Sequence, residues 1–519
     1  MRKLTLFLFL SIFTALPAFA EEAQNSIDAK LDSVLRPFAD FVSEIVFYSI
    51  PVAGQSIPIV LLLLAGTSLI LTFYFKFVNL SAIGTAFKTV TGKYTRKDAP
   101  GEITHFQALS AALSATVGLG NIAGVSIAIC AGGPGAAFWM ILVGFLGMTS
   151  KFCECTLGVK YRKIDSAGKV SGGAMYYLSE GLKERGMGTF GRVLAIFFAV
   201  MCVGGALGAG NMFQVNQAQA QFSSVTGLFV DQGWIFGLIV AVLVGAVIIG
   251  GIRSIARVTS TLVPLMCGIY IAAALVVLFM NIGAVPAVFG RIISEAFNPD
   301  AMITGGFIAV FIQGVKRAAF SNEAGVGSAA IAHSAVRTKE PITEGFVSLL
   351  EPFIDTVVIC TMTALVITIS GQLMIDPTSG NYILDGNSIQ TVGGTSGVAL
   401  TSAAFATGFS WFPYVLAVAV VLFAFSTMIS WSYYGLKAWT YLFGESKNAE
   451  LVFKVMFCVF VVIGAAANLG PVIDFSDAAI FAMAVVNISA LYVLMPIVKR
   501  ELISYQARLK SGEIKKFKN

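Results

Sequence analysis

A run of small residues and one amide interrupts the good helix formers in the middle of a long apolar segment, residues 105–132. The run reads Thr116-Val117-Gly118-Leu119-Gly120-Asn121. As one helix the segment would be roughly 42 Å long, whereas the hydrocarbon core of a bilayer is roughly 30 Å thick. A break at membrane depth exposes N–H and C=O groups, which are tolerated only where they face a cavity or a ligand. We therefore expect a broken helix that forms a binding site.

The ends of the two half-helices at such a break could bind both signs of charge. Backbone N–H groups near Leu119 and Gly120 could hold a carboxylate, while the carbonyl of Val117 and the side-chain oxygen of Asn121 could hold a cation. Hard cations, among which we count Na⁺, prefer oxygen ligands. The letters TVGLG also resemble a potassium-channel filter. They occur once, inside a full-length crossing segment, so a channel is the less favoured interpretation.

A second group of oxygen donors lies far along the chain, in the apolar sequence ALFAFSTMISWSYYG. Ser426 and Thr427 could add two hydroxyl ligands, although such residues in a helix often donate to their own backbone instead. Trp431 follows Thr427 by four residues, on the same helix face, and could wall a small pocket. The alternative place for Trp431 is the aromatic belt at a membrane interface.

Several amides lie together in the segment 192–221. They are Asn211, Gln214, Asn216 and Gln217. Asn211 and Gln214 share a helix face, and Gln214 could accept a hydrogen bond from a substrate ammonium. Hydrogen bonding between helices is an equally good use of these amides.

Charged residues inside apolar segments usually mark function. Glu323 follows two basic residues, Lys316 and Arg317, in one segment, and Glu351 and Asp355 share a face of the next. We expect Glu323 to form an ion pair with its basic neighbours and so stabilise a second broken helix. Proton coupling through Glu323 is the alternative.

The composition indicates a polytopic membrane protein. The 519-residue chain is 57% hydrophobic and only 12% charged, whereas soluble domains are about 25% charged. Its seven cysteines form no C-x-x-C pair, so neither a disulfide framework nor a zinc site is indicated. The chain has only two histidines, and the sequence shows no nucleophile and base pair and no metal cluster. An enzyme is therefore not expected.

The N-terminus has a basic start, a short apolar core and an Ala-Phe-Ala sequence before Glu21. This pattern predicts a secretory signal, residues 1–20, with an uncleaved anchor as the alternative. Residues 21–56 would then be an extracytoplasmic segment. Hydropathy predicts an all-α protein with eleven transmembrane helices. The eleven segments are 57–76, 105–132, 136–159, 192–221, 234–252, 258–280, 303–335, 346–371, 411–436, 452–469 and 475–498.

Basic residues alternate between the loops that join these segments. By the positive-inside rule, the N-terminus is outside and the basic tail, residues 499–519, is cytoplasmic. The expected location is the cell inner membrane. The polar loop 372–410 would face outward, either as a lid over an external entrance or as a passive connection.

A short pattern occurs near the start of each half of the apolar region. Asn-Ile-Ala-Gly-Val occupies residues 121–125, and Asn-Glu-Ala-Gly-Val occupies residues 322–326. Both lie in overlong segments that cross in opposite directions, and each segment begins a block of five. We therefore expect two inverted five-helix repeats, 105–280 and 303–498, with broken first and sixth core helices and the helix 57–76 outside them.

Several longer blocks resemble the bacterial and archaeal alanine or glycine:cation symporters. The blocks are GLGNIAGV at 118–125, GGPGAAFWM at 132–140, GNMFQVNQ at 210–217, FSNEAGVGSA at 320–329 and FAFSTMISWSYYG at 423–435. The resemblance implies the five-plus-five fold of the amino acid, polyamine and organocation superfamily. It also implies sodium-coupled uptake of small neutral amino acids, chiefly alanine and glycine. The residues Val117-Gly118-Leu119-Gly120-Asn121 are also similar to the first-helix motif of the neurotransmitter:sodium symporters.

The resemblance also implies roles for individual residues. The amino acid would be bound by Thr116, Gly118, Leu119, Gly120, Gln214, Asn322, Gly325, Thr427 and Trp431. The cation would be bound by Val117, Asn121, Ser426 and Thr427. Besides the lipid bilayer, the expected partners are the amino acid and Na⁺. No cofactor other than co-transported Na⁺, no nucleic acid and no obligate protein partner is expected.

Overall fold

The structure is a computed structural model that describes residues 36–37, 40–52, 55–94, 98–297, 306–377, 382–385, 388–467 and 469–514. The predicted signal, residues 1–20, lies outside the described residues, and the predicted extracytoplasmic segment 21–56 is described only in part. The described chain is predominantly helical, as its apolar composition predicts.

The principal helices are labelled α1 to α15 in chain order. They are α1 (Ile59–Tyr74), α2 (His105–Thr116), α3 (Gly120–Gly132), α4 (Gly135–Lys160), α5 (Gly188–Thr226), α6 (Gly233–Ile248), α7 (Gly251–Met280), α8 (Val285–Phe297), α9 (Gly306–Asn322), α10 (Ala330–His333), α11 (Pro341–Ile369), α12 (Val398–Ala406), α13 (Phe412–Phe443), α14 (Lys447–Ala466) and α15 (Leu469–Lys510). Shorter helical turns are Val78–Ser81, Ile83–Val90, 174–184 and Val392–Gly394. Antiparallel strand pairs in the connections are β1 (Ser49–Val52) with β2 (Gln55–Pro58), β3 (Lys163–Ile164) with β4 (Val170–Ser171), and β5 (Leu384–Asp385) with β6 (Ser388–Ile389).

The predicted break in the segment 105–132 is confirmed between α2 and α3. Thr104 and Gln107 form a capping box at the start of α2, and the helix ends at Thr116. Val117 leaves helical geometry with φ −74° and ψ 88°. The helices α2 and α3 meet at a bend of 49°. Residues 116–125 are all buried, so the exposed backbone groups of the break face the protein interior.

A second break separates α9 from α10, as the overlong segment 303–335 predicts. Immediately after α9, Glu323 has a φ of 55°, a left-handed conformation that residues with a side chain rarely adopt. Gly325 and Gly327 follow with φ of 87° and 89°, which glycine adopts at little cost. The seventh predicted segment is therefore two helices joined by a left-handed turn.

Seven helices of the described chain are long and apolar enough to cross a membrane. They are α4, α5, α7, α11, α13, α14 and the part of α15 from Val472. The bent pair α2 and α3 passes the same criterion as one span, and α1 and α6 are shorter apolar helices. Two other helices, α8 and α12, are not among the predicted segments. The predicted polar loop 372–410 contains α12 and the β5–β6 pair.

The helix α4 packs against the elements on both sides of the second break. A Cβ atom at Gly147 would lie 2.7 Å from Cβ of Ala324, and one at Gly158 would lie 2.9 Å from the carbonyl oxygen of Ala330. A Cβ at Gly144 would lie 2.5 Å from Cγ2 of Thr356 in α11. Small residues allow helices to approach this closely. The helix α4 therefore packs tightly against α9, α10 and α11.

The chain before α2 and the chain after α10 are joined directly. Ile103 pairs with Val336 in a parallel bridge, and the N–H of Thr338 donates to the carbonyl of Pro100 at 3.2 Å. Arg162, just after α4, donates to the carbonyls of Pro100 and Thr338 at 3.0 and 2.8 Å and also to that of Val336. The guanidinium therefore holds both segments against the end of α4.

Candidate substrate and cation site

The first break lies against α5 and α13. A Cβ atom at Gly118 would lie 2.5 Å from Oγ1 of Thr427 and 3.3 Å from Oε1 of Gln214. The same oxygen of Gln214 accepts a hydrogen bond from the N–H of Leu119 at 3.4 Å. The structure therefore brings together four of the predicted substrate residues from three separate parts of the chain.

Hydroxyl groups join α2 to α13 beside the break. Thr427 Oγ1 donates to the carbonyl of Ser114 at 2.9 Å, and Ser114 Oγ donates to the carbonyl of Ser426 at 2.5 Å. Ser426 Oγ donates to the carbonyl of Phe423 in its own helix at 2.9 Å, which is the local alternative described above. Thr427 instead bonds across to α2, close to Val117. The role of these oxygens as cation ligands stays a prediction.

A buried carboxylate faces Asn121 from α11. Nδ2 of Asn121 donates to Oδ1 of Asp355 at 2.7 Å, and Oδ1 of Asn121 accepts from the N–H of Gly118 at 2.9 Å. Oδ2 of Asp355 accepts from the hydroxyls of Ser321 at 2.9 Å and Thr356 at 2.7 Å. Within the described ranges, no lysine, arginine or histidine nitrogen lies within 4.0 Å of this carboxylate. The cluster is thus an acidic group surrounded by neutral donors.

The two breaks meet at this cluster. A Cβ atom at Gly120 would lie 3.1 Å from Cα of Ser321, the second-last residue of α9. Two residues after Ser321, where the second break begins, Oε1 of Glu323 accepts from Nε1 of Trp431 at 3.0 Å. The ring of Trp431 covers α5, where a Cβ at Gly210 would lie 2.2 Å from its Cγ. Trp431 is buried, so the interfacial belt is not its place.

Two of the four predicted amides in α5, Asn211 and Asn216, bond to other elements, while Nε2 of Gln217 donates to Oδ1 of Asn216 at 3.3 Å. Nδ2 of Asn211 donates to the carbonyl of Phe457 at 2.8 Å, and Nδ2 of Asn216 donates to the carbonyl of Ala467 at 2.6 Å. Gln214 differs, because its side-chain oxygen faces the first break. The face shared by Asn211 and Gln214 is therefore split between helix packing and the candidate site.

Three predicted substrate residues make their hydrogen bonds elsewhere. Nδ2 of Asn322 donates to Oγ1 of Thr356 at 2.9 Å, and the carbonyl of Gly325 accepts from Nδ2 of Asn487 at 2.9 Å. Oγ1 of Thr116 donates to a carbonyl of its own helix at 3.2 Å. The bond of Asn322 joins the cluster of Asp355 through Thr356, whereas the bonds of Gly325 and Thr116 involve neither Asp355 nor Gln214.

The ion pair predicted for Glu323 is wrong. Lys316 and Arg317 both bond to Asp477 of α15, at 2.7 and 2.9 Å, while the carboxylate of Glu323 contacts Trp431 and Ser328. The left-handed turn at Glu323 is the physical reason, because it directs this side chain away from the basic face of α9.

Both histidines lie in a buried network of charged groups. His105 and His333 each bond through Nδ1 to a different oxygen of Glu344, His333 at 2.6 Å. Lys151 bonds to Glu351 at 2.8 Å, and Nε2 of His333 lies 3.4 Å from Glu351. All five side chains are buried. The network links α2, α4, α10 and α11 on the side of the breaks away from α3.

Sequence reasoning did not connect Asp355 with Asn121, and it missed Ser321 and Thr401. Oγ1 of Thr401, in α12, donates to the carbonyl of Ile122 at 2.9 Å. Asp355 carried a usable signal, because a charged residue inside an apolar segment marks function. Ser321 and Thr401 carried none, since hydroxyl residues are common in membrane helices.

The model of the sodium:alanine symporter family matches residues 41–519. The chain belongs to the sodium:alanine symporter family. Members of this family are transporters, and the apolar helices agree with a multi-pass membrane protein. The sodium/alanine symporter AgcS of Methanococcus maripaludis is 38% identical to this chain. The similarity covers 86% of this chain and 93% of AgcS.

The chain is also similar to a second transporter by sequence and to a solved structure by fold. The probable sodium/glutamine symporter GlnT of Bacillus subtilis is 32% identical to this family member, over 88% of this chain and 89% of its own. The crystal structure of MhsT in complex with L-phenylalanine is similar with a TM-score of 0.51 at 16% identity. That similarity covers 75% of this chain and 89% of the MhsT chain, and it shows the fold alone.

Proposed function

We propose that this family member carries a small neutral amino acid, alanine or glycine, into the cell together with Na⁺ by alternating access. We further propose eleven transmembrane helices, of which ten form inverted repeats at 105–280 and 303–498. In this proposal the N-terminus is outside the inner membrane after cleavage of the signal 1–20, and the tail 499–519 is cytoplasmic. Two relatives, a sodium/alanine symporter and a probable sodium/glutamine symporter, support Na⁺ coupling.

The observation that carries the proposal is the buried carboxylate of Asp355 beside Asn121. Burying a carboxylate is costly unless a positive charge compensates it. The neighbours of Asp355 are hydroxyl and amide groups, including Ser321, and oxygen atoms are the ligands that hard cations prefer. A Na⁺ ion at this cluster would supply the charge and hold the two breaks together.

The geometry of the first break supports a small amino-acid substrate. The N–H of Leu119 makes only a long bond of 3.4 Å to Gln214, which a substrate carboxylate would replace. Gly118 lies so close to Thr427 that there is no room for a Cβ atom. Trp431 covers the neighbouring wall. Such a pocket disfavours larger side chains, although one extra methylene changes binding by only about 1–3 kcal/mol.

Coupling follows if Na⁺ favours the conformation that binds the amino acid. A ligand that binds both states equally shifts nothing. Na⁺ between Asn121 and Asp355 would fix the backbone of the adjacent Leu119 and Gly120, and so improve carboxylate binding. By linkage the amino acid then strengthens Na⁺ binding by the same factor.

Proton coupling through Glu323 is the second candidate. Its carboxylate is buried, and in the described part of the chain no basic nitrogen lies within 4.0 Å of it. A carboxylate of this kind could carry a proton in place of a cation.

Uptake of labelled alanine into proteoliposomes tests the proposal. Wild-type protein, Asp355→Asn and Thr427→Ala are compared under an inward Na⁺ gradient and then an inward H⁺ gradient at matched membrane potential. Thr361→Ala is the control, because among the described residues the Thr361 hydroxyl bonds only to its own helix, to the carbonyl of Val357 at 2.8 Å.

We expect accumulation with Na⁺ alone in the wild type and the control, and its loss in Asp355→Asn and Thr427→Ala. Accumulation driven by H⁺ alone and abolished by Glu323→Gln would replace the proposal with proton coupling. No alanine or glycine uptake under either gradient would refute the substrate assignment.

A further inference from the structure

A second acidic group lies next to the second break, on the side facing α4 and α15. Three residues in this group are fully buried: Glu154 of α4, Asn487 of α15, and Tyr177 in the helical turns 174–184. They share no residue with the cluster of Asn121 and Asp355. Asn487 bonds to Gly325, so this group contacts the left-handed turn between α9 and α10.

The side-chain amide of Asn487 connects the members of this group. Its Nδ2 donates to Oε1 of Glu154 at 2.8 Å and to the carbonyl of Gly325 at 2.9 Å. Its Oδ1 accepts from the hydroxyl of Tyr177. A carboxylate oxygen and a backbone carbonyl oxygen therefore both lie within 2.9 Å of one nitrogen. A Cβ atom at Gly327 would lie 3.1 Å from Oδ1 of Asn487, which leaves this corner closely packed.

The other carboxylate oxygen of Glu154 has no partner. Its Oε2 is buried and makes no hydrogen bond within the described chain. Lys151, one turn earlier on the same helix, is bonded to Glu351 at 2.8 Å. No lysine, arginine or histidine nitrogen of the described residues lies within 4.0 Å of Glu154. The charge of Lys151 acts on Glu154 but is paired with that of Glu351. The titratable groups that face Glu154 are Lys151, Cys153 and Cys155 of the same helix, Glu351 of α11, and Tyr177.

We propose that Glu154 and the carbonyl of Gly325 form a second binding site for a small monovalent cation, Na⁺ or a proton. A carboxylate and a carbonyl are the oxygen ligands that a hard cation prefers. The cation would neutralise the buried charge and draw α4 to the turn at Gly325. The site rests on the proposed function for the choice of ion, since these are the ions that such a transporter meets.

Cation counting on purified protein tests this site. Wild type, Glu154→Gln and Tyr177→Phe are compared by equilibrium binding of radioactive Na⁺ at saturation without amino acid. The protons bound across the neutral pH range are measured on the same samples by titration. Glu154→Gln removes the charge and keeps the shape of the side chain. Tyr177→Phe removes the hydroxyl that bonds to Asn487 and leaves the carboxylate, so it controls for disturbance of the packing.

We expect Glu154→Gln to bind one cation fewer than the wild type and Tyr177→Phe to match the wild type. A missing Na⁺ identifies Na⁺ as the occupant, and a missing proton identifies H⁺. Equal Na⁺ and proton counts in all three proteins would overturn the proposal and assign Oε2 to a buried water molecule.

A second variant covers the case in which Glu154→Gln does not fold. Glu154→Asp keeps the charge and withdraws it by one methylene, so the same number of cations should bind, one of them at least about tenfold more weakly. Unchanged affinity for every cation would contradict the site. Alanine uptake by the wild type tests the proposed function separately, since the cation count is made without amino acid.

Discussion

Replacing Gly118 with alanine should disable transport by filling the space between α2 and α13. The new Cβ atom would lie 2.5 Å from Oγ1 of Thr427 and 3.3 Å from Oε1 of Gln214. The first distance is well inside van der Waals contact, and Thr427 is held by its bond to Ser114 at 2.9 Å. The hydroxyl therefore has to leave that bond or the break has to open.

The cost can be taken from overpacking of protein interiors, which is typically about 1–3 kcal/mol. If the cost falls on the conformation that binds the amino acid and Na⁺, their affinity drops by about 5- to 150-fold. Backbone strain adds nothing, because Gly118 is not among the described residues with positive φ.

The assay is Na⁺-driven alanine uptake as a function of alanine concentration, with Gly124→Ala as the matched control. Gly124 lies in the same segment with helical geometry (φ −63°, ψ −40°), and a Cβ there meets nothing within 4 Å. The control should transport like the wild type. Melting in detergent without Na⁺ gives a second readout, in which Thr427→Ala should relieve part of the destabilisation by Gly118→Ala. Wild-type uptake by Gly118→Ala would refute the close approach of α2 to α13.

Three other substitutions give separate tests. Trp431→Phe removes the hydrogen-bond donor to Glu323 and leaves a buried carboxylate oxygen without that partner. The free energy of unfolding, measured by thermal denaturation, should therefore fall by about 1–3 kcal/mol. An unchanged melting temperature would contradict the hydrogen bond. Arg162→Lys loses the planar fork that reaches several carbonyls and should lower the melting temperature, while equal stability would show that one ammonium suffices. Burial raises the pKa of Glu445, but the hydrogen bond from Ser171 and nearby lysine charges outweigh it and hold that pKa below its ordinary 4.5. The stability that the ionised Glu445 contributes is present above pH 4.5 and is lost as the pH falls through the lowered pKa. Glu445→Gln should therefore melt at a lower temperature than the wild type at neutral pH and at the same temperature in acid. A difference in melting temperature that does not change with pH would refute the assignment.

The breaks could be predicted from sequence because they leave local signals. A segment too long for one span, with small residues in its middle, predicts the bend between α2 and α3, and the same pattern predicts the turn after α9. The choice of Thr427 and Gln214 as neighbours of the first break came from a family resemblance, and the geometry brings both there. Both α8 and α12 escaped prediction because their 13 and 9 residues are too few for a membrane span.

Contacts between distant side chains could not be predicted, because they depend on how each helix is rotated about its axis. Glu323 had two basic residues close in sequence, and their charges made an ion pair the natural expectation. The left-handed turn sends Glu323 to Trp431, 108 positions away, and leaves the basic pair to Asp477. The bond between Asn121 and Asp355 spans 234 positions, and nothing in either local sequence points to the other.

The bridge between the segments before α2 and after α10 has a mechanical consequence. Because Arg162 ties Pro100 and Thr338 to the end of α4, a force that displaces α2 is transmitted directly to α10. Bending then concentrates at the two interruptions, residues 117–119 and 323–327, where no continuous helix resists it. The helices α2 and α10 would then turn together about the two interruptions, which lie side by side where Gly120 approaches Ser321.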